Sequence, residues 1–290
     1  MKSILEISKS FNAHAHEYES EAQVQLEIGR RLFERLEYLK ITPNYVLDIG
    51  CGPGTFLTQL SQRFPSAQIV ALDIAHSMLS VVKAKQSTLH QWHMLNADMH
   101  QMPFATDQFD LIFSNQVLHW SHALPTVLGE WQRVLRPGGC LLFSTLGPDT
   151  FLELKRAFQQ VDNDAHVNTF LDMHHVGDCL LQQLFADPVV DMETILVHYS
   201  SLANLLRSLQ AQGVKNIHEK RKSGLTGKDS WRRFERYMAS MQTSSHKYPL
   251  TYEVVYGHAW KAEHQPTHSS NETKIGLAEL KASLPSQKRL

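Results

Sequence analysis

Four polar side chains stand where chemistry could be done: Asp48, Asp73, Asp98 and Asn115 each fall at, or just past, the end of a short apolar run. After Asp48 the chain breaks into glycines at alternate positions, Gly50, Gly52 and Gly54. Glycine is needed where φ is positive or where a ligand must touch backbone. This Gly-x-Gly-x-Gly is neither the dinucleotide fingerprint nor the lysine-bearing phosphate loop. It has no lysine and an acid precedes it, so it repels a pyrophosphate and attracts an ammonium group. Asp73 lies 19 residues beyond Gly54, where an acid can accept both hydroxyls of a ribose; its plainer reading is a cap for the next helix. Asp98 is placed to take an amino hydrogen of a base, or to serve as a turn residue. Asn115 either faces the glycine loop or satisfies a strand end. Together these positions ask for a ligand with a diol, an amino-bearing base and a cationic flank. Their neighbours Ile74 and Met99 join the expected contacts.

The elements that must hold these residues alternate strand, loop and helix. Tyr45–Ile49, Gln68–Asp73, Trp92–Leu95, Phe109–Ser114 and Cys140–Thr145 read as strands, with helices over Ser77–Lys85 and about Leu124–Val134. Such alternation predicts a doubly wound, mostly parallel α/β sheet covered on both faces, with ligands outside the carboxyl ends of the strands. Ile4–Lys40 reads as leading helix, from the recurrence of Leu26, Leu32, Phe33, Leu36 and Leu39. Arg136–Gly139 reads as a helix stop and turn. Pro188–Tyr199 and Tyr252–Trp260 read as the last two strands. The stretch between them is too long for a simple connection and reads as a helical insertion. The expected organisation is one domain over 1–261: leading helices (1–42), a ligand-binding core (45–147) and an insertion (200–247). A mobile polar tail follows over 262–290.

The 290 residues are 42% hydrophobic and 20% charged, as in ordinary globular chains. No apolar run is long enough to span a membrane, and Met1–Ser10 lacks a signal-peptide core. Cys51, Cys140 and Cys179 make no disulfide framework, which fits a reducing, cytoplasmic setting. A net charge of −1 gives no reason to expect nucleic acid. Seventeen histidines lack zinc-site spacing, so no metal is expected. One region departs from the average. Between Asn204 and Met238 there are nine Lys/Arg and three acids. Lys220, Arg221, Lys222, Lys228, Arg232 and Arg233 form its basic patch, which reads as a solvated face or a surface for an acidic partner.

A ligand with ribose, adenine, an ammonium and a sulfonium is S-adenosylmethionine. Val46–Gly54, Asp73, Asp98 and Leu135–Gly139 resemble the class I S-adenosylmethionine-dependent methyltransferases, which implies a seven-stranded Rossmann-like sheet. Phe143–Thr150, Phe170–His174, Gly224–Gly227 and Tyr248–Trp260 are similar to the malonyl-[acyl-carrier protein] O-methyltransferases of biotin synthesis, as are Phe11 and Tyr18. The resemblance implies carboxyl methylation of a malonyl thioester on acyl-carrier protein. It also implies that the basic insertion steers that acidic partner. No catalytic dyad is required, because a carboxylate is already ionised. The resemblance makes Tyr18 a lid residue, Gln25 a cofactor contact, and Tyr18, His119 and Arg207 substrate contacts. Arg207 would orient the carboxylate. Leu26 and Thr169 stand where the family often has arginine. Rival readings are a quinone-type small-molecule methyltransferase and a methyltransferase-fold assembly factor acting on a protein.

Overall fold

The computed structural model of the chain describes residues 2–87, 91–162, 164–211 and 227–263. Seven strands form one sheet: β1 (Tyr45–Ile49), β2 (Gln68–Asp73), β3 (His93–Asn96), β4 (Phe109–Asn115), β5 (Leu135–Leu146), β6 (Phe185–Tyr199) and β7 (Tyr248–Lys261). Their order is β3-β2-β1-β4-β5-β7-β6. Strands β1 to β5 pair in parallel, and β7 runs antiparallel to both β5 and β6. The order reverses at β1, which has β2 on one side and β4 on the other. That is the topological switch point where doubly wound sheets bind ligands.

Both faces of the central strands β1, β4 and β5 are buried, so these strands are nearly continuous in apolar residues, whereas the edge strand β6 alternates half-buried and exposed residues. Val46 belongs to the core on one face, with Ile28, Leu32 and Phe113. Leu47 and Ile49 belong to the core on the other, with Trp131 and Phe143. The covering helices are α1 (Lys2–His14), α2 (Tyr18–Glu21), α3 (Gln23–Glu34), α4 (Leu57–Arg63), α5 (His76–Lys85), α6 (Leu124–Val134), α7 (Leu152–Gln159) and α8 (Met173–Gln182). Helices α9 (Leu202–Ala211) and α10 (Lys228–Ser240) lie between β6 and β7.

Two local readings change. The single helix expected over Ile4–Lys40 is three helices and a 3-10 turn at Arg35–Tyr38. Side-chain donors compete for backbone carbonyls at the breaks: Ser20 Oγ donates to Glu17 O at 2.8 Å and Gln23 Nε2 to Ser20 O at 3.1 Å. The turn expected at Arg136–Gly139 is a bulge within β5. Leu135 pairs with Phe109, the register shifts, and Cys140 then pairs with Leu111. Gly138, at φ 75°, absorbs the irregularity. Residues 264–290, the greater part of the expected tail, lie outside the described residues.

Candidate active site

At the carboxyl ends of β1, β2 and β4 the sheet opens on a cavity. Gly50 and Gly52 form its floor. Gly50, Gly52 and Gly54 take φ of 71°, 54° and 77°, which L side chains adopt only at a cost. The loop is pinned to β2, because Gly50 N and Cys51 N both donate to Leu72 O, at 2.7 and 3.0 Å. A Cβ built on Gly52 would meet no atom within 4 Å, so this residue presents bare backbone to the cavity.

Asp73 holds this loop and lines the cavity as well. Its Oδ2 accepts from Gly52 N at 2.9 Å and its Oδ1 from Ala75 N at 2.7 Å. Burial pushes its carboxyl up to about 6, with backbone donors at Ala75, Gly52 and Ile74 holding it back. Asp98 lines the same cavity. Its Oδ1 meets His100 Nδ1 at 2.6 Å, and His100 Nε2 meets Ser121 Oγ at 2.8 Å. Asn115 Nδ2 donates to Gln25 O at 3.1 Å and its Oδ1 accepts from Ser144 Oγ at 2.7 Å, so it ties α3 to β4 and β5. Gln25, Ile74 and Met99 complete this end of the wall.

The other end is aromatic. Ring contacts run from Tyr18 to Phe11, Trp120, His119, Phe170, Phe151 and Tyr252, with centroids 5.0 to 6.2 Å apart. All seven residues line the cavity. Burial lowers His119 to about 3, which keeps its ring neutral, and its Nδ1 has no hydrogen-bond partner among the described residues. Burial, and then the charge of Asp73, raise the Tyr18 hydroxyl far above the usual phenol range. Two lining residues are held in the left-handed region, Gln116 at φ 62° and Phe151 at φ 60°. Gln116 N donates to Ser144 Oγ at 3.0 Å and Phe151 N to Thr251 O at 2.7 Å. Such strain persists where surrounding bonds over-determine it.

Helix α1 roofs the cavity with Ile4, Ile7 and Phe11. Ser8 Oγ donates to Ile74 O at 3.1 Å and Ser77 N to Asn12 Oδ1 at 2.8 Å. Lys85 Nζ reaches Glu19 at 2.8 Å and Pro53 O at 2.9 Å, latching α2 to the glycine loop.

Three expected positions fall elsewhere. Asp48 is buried behind the loop rather than in the cavity lining; burial, and then Asp73, push it up to about 8. Gly54 points away, so that a Cβ there would press on Leu57 at 2.9 Å and Val82 at 3.0 Å. Arg207 does not line the cavity; it is exposed on α9 and donates to Asn204 Oδ1 at 3.1 Å. Leu205 is the wholly buried residue of α9, and a residue two positions on faces the opposite way. Lys228, Arg232 and Arg233 are exposed on α10, while Lys220, Arg221 and Lys222 lie outside the described residues.

Some of the site carried no sequence signal. His100 reads as one histidine among many until its bond to Asp98 is seen. The strain at Gln116 and Phe151 has no signature in residue type. Asp162, Asp164 and His166 come together as metal-competent side chains. His166 Nε2 meets Asp162 Oδ1 there at 2.7 Å.

The lining fits S-adenosylmethionine. Gly52 leaves backbone open, Asp73 and Asp98 supply acceptors, and the cavity has acids but no lysine or arginine among its described residues. A cationic ligand suits that field. A family model described as a methyltransferase domain matches residues 47–143. The chain spans 98% of the YcgJ protein of Bacillus subtilis, over 80% of its own length, with a TM-score of 0.56 at 15% identity, a likeness of fold. It is 52% identical to the malonyl-[acyl-carrier protein] O-methyltransferase of Legionella pneumophila, over 94% of this chain and 96% of that one. The enzyme of that name from Gallionella capsiferriformans is 41% identical, over 87% of this chain and 89% of the other. A glycine loop braced by Asp73, a cavity built for a cationic nucleoside and likeness along nearly the whole chain agree: this is an S-adenosylmethionine-dependent methyltransferase, and it belongs to the malonyl-[acyl-carrier protein] O-methyltransferase family.

Proposed function

We propose that the chain methylates the free carboxylate of a malonyl thioester on acyl-carrier protein, giving the methyl ester that primes pimelate and biotin synthesis in the cytoplasm. The observation that carries this reading is the two-sided cavity, acidic at the glycine loop and aromatic from Tyr18 to Tyr252. When bound, S-adenosylmethionine supplies a methyl group on a cationic sulfur, which a carboxylate oxygen takes up as an ester while the carbon–sulfur electron pair stays with sulfur.

No residue has to move a proton, because the acceptor carboxyl is ionised near neutral pH. This agrees with a neutral His119 and a Tyr18 hydroxyl that keeps its proton. The reaction consumes one positive and one negative charge, so its transition state is less polar than its reactants. An aromatic wall disfavours the separated charges more than the transition state, and it excludes water from the carboxylate. Tyr18, Phe11 and the α1 roof would close over the acceptor and fix its approach; such positioning is worth roughly 7–11 kcal/mol in intramolecular reactions.

Packing supports a route for the carrier protein. Helix α10 exposes Lys228, Arg232, Arg233 and Trp231, and its Phe234 stacks on Phe158 of α7, with centroids 4.4 Å apart. Helix α7 in turn borders the cavity through its N-terminal neighbour Phe151. An acidic carrier docked on α10 would bring its thioester arm across α7. The test is the intact mass of malonyl-carrier protein after incubation with the chain and S-adenosylmethionine. The expected result is a gain of one methylene on the malonyl group; no gain while cofactor binding is demonstrated sinks the proposal.

A further inference from the structure

The cavity is ill suited to an anion. Asp73 and Asp98 line it, no lysine or arginine does so among the described residues, and Arg207 faces solvent. Yet the acceptor proposed above arrives as a carboxylate. Its charge is favourable beside a bound sulfonium, but it must first pass from water into an aromatic enclosure. Stripping hydration from an ion is costly unless a counter-charge receives it.

A second cavity adjoins the first, and Asn168 and Phe170 line both. Lys155 and Phe158 of α7, Pro148 and His166 form its other walls. Lys155 is half-buried, and its Nζ stands 5.4 Å from the centre of the Phe170 ring, a ring that lines both spaces. The ammonium donates to Pro148 O and forms no ion pair among the described residues. An ammonium carries three donors, so one carbonyl leaves capacity for an anion. Burial draws its pKa below the ordinary lysine value, against the opposing pull of Asp149 and Glu253. A desolvated cation with few partners favours an incoming anion. The acid of this vestibule, Asp164, is exposed.

We propose that Lys155 is the positioning residue that receives the acceptor carboxylate in this vestibule, before it passes Phe170 to the methyl site. The assignment rests on the function proposed above and replaces the role expected of Arg207. A location outside the methyl-transfer cavity has a chemical advantage. A cation paired with the carboxylate during transfer would hold back the oxygen lone pair, whereas one at the entrance assists capture only.

The test is steady-state kinetics of Lys155→Met and Lys155→Arg with two acceptors, malonyl-carrier protein and the malonyl thioester of N-acetylcysteamine, which has no phosphate. For Lys155→Met the expected result is a KM about 10- to 100-fold higher for both acceptors, because one charge-assisted hydrogen bond is lost from the entry step that commits the acceptor to transfer. The kcat at saturation and the Kd of S-adenosylmethionine stay as in the parent, Lys155→Arg restores much of the KM, and inhibition by the neutral methyl-ester product is unchanged. A merely structural lysine would move the product's affinity as well. A KM increase confined to the carrier substrate overturns the assignment, because it puts the phosphodiester of the arm at Lys155. An unchanged KM in an active protein also overturns it while leaving the function standing. A parent protein that methylates no malonyl thioester removes both.

Discussion

Asp73 Oδ2 accepts the Gly52 N–H at 2.9 Å, so the acid that ends β2 and the glycine loop that follows β1 form one device. The bond crosses between neighbouring parallel strands at the switch point of the sheet. It fixes Gly52 where it offers bare backbone, and it holds Asp73 at the cavity wall. Replacing Asp73 with Asn keeps one acceptor oxygen and removes the charge. Calorimetry on Asp73→Asn is expected to show S-adenosylmethionine bound about 10- to 100-fold more weakly, the range for a hydrogen bond to a charged group. Unchanged affinity would reduce Asp73 to a loop brace.

Gly52 and Gly54 separate two kinds of glycine in one loop. Both have positive φ, so alanine at either costs about 1–2 kcal/mol of backbone strain. At Gly52 the new Cβ enters open cavity; at Gly54 it presses on Leu57 and Val82. Gly52→Ala is expected to fold with a small loss in Tm and to lose most cofactor affinity. Gly54→Ala should show the larger drop in Tm. Thermal melts with and without cofactor check the pair, and the reverse ranking would contradict the geometry.

How far the sequence could be read differs between the two ends of the cavity. The polar end is legible because it is local: each of Asp73, Asp98 and Asn115 follows its own apolar run, and strand ends meet in a parallel sheet, although Asp48, at the end of its own run, lies behind the loop. Even there, residue type could not distinguish Gly52, open to the ligand, from Gly54, packed on α4 and α5. The acceptor end is assembled from α1, the turn after β4, the N-terminus of α7, Phe170 and β7, which are distant in sequence. An aromatic residue in any of these reads as ordinary core. Arg207 shows the limit most plainly, since its neighbours suggested a role that the phase of α9 removes.

Asp48 and Asp73 give the chain a pH dependence of known sign. Burial raises both carboxyls, to about 8 and about 6, above the ~4 of an unfolded aspartate. The folded state therefore binds more protons than the unfolded one, and the contribution of these acids to stability declines as pH rises from about 4 towards 8. Asp48→Asn removes the larger share. Its stability is expected to gain progressively on the parent between pH ~5 and ~8 in denaturant titrations. Parallel curves would contradict the burial argument. A cationic cofactor favours the ionised acids, so its affinity should rise over the upper part of this window with release of protons, which calorimetry in two buffers of different ionisation enthalpy measures.

Lys228, Arg232 and Arg233 are exposed on α10, where rim charges act mainly on association rate. Reversing all three to glutamate is expected to raise KM for malonyl-carrier protein at low salt and to leave KM for a small malonyl thioester unchanged. The effect should fade as ionic strength shortens the Debye length. Equal losses on both substrates would assign these residues to the fold rather than to carrier recognition.

Whether the methyl group ends on a carboxylate is measured by following a labelled methyl from S-adenosylmethionine to carrier protein bearing malonyl or acetyl groups. Label is expected on the malonyl carrier alone, released as methanol by mild base, as a methyl ester requires. Label on the acetyl carrier, or label that survives base as it would on nitrogen or carbon, would contradict it.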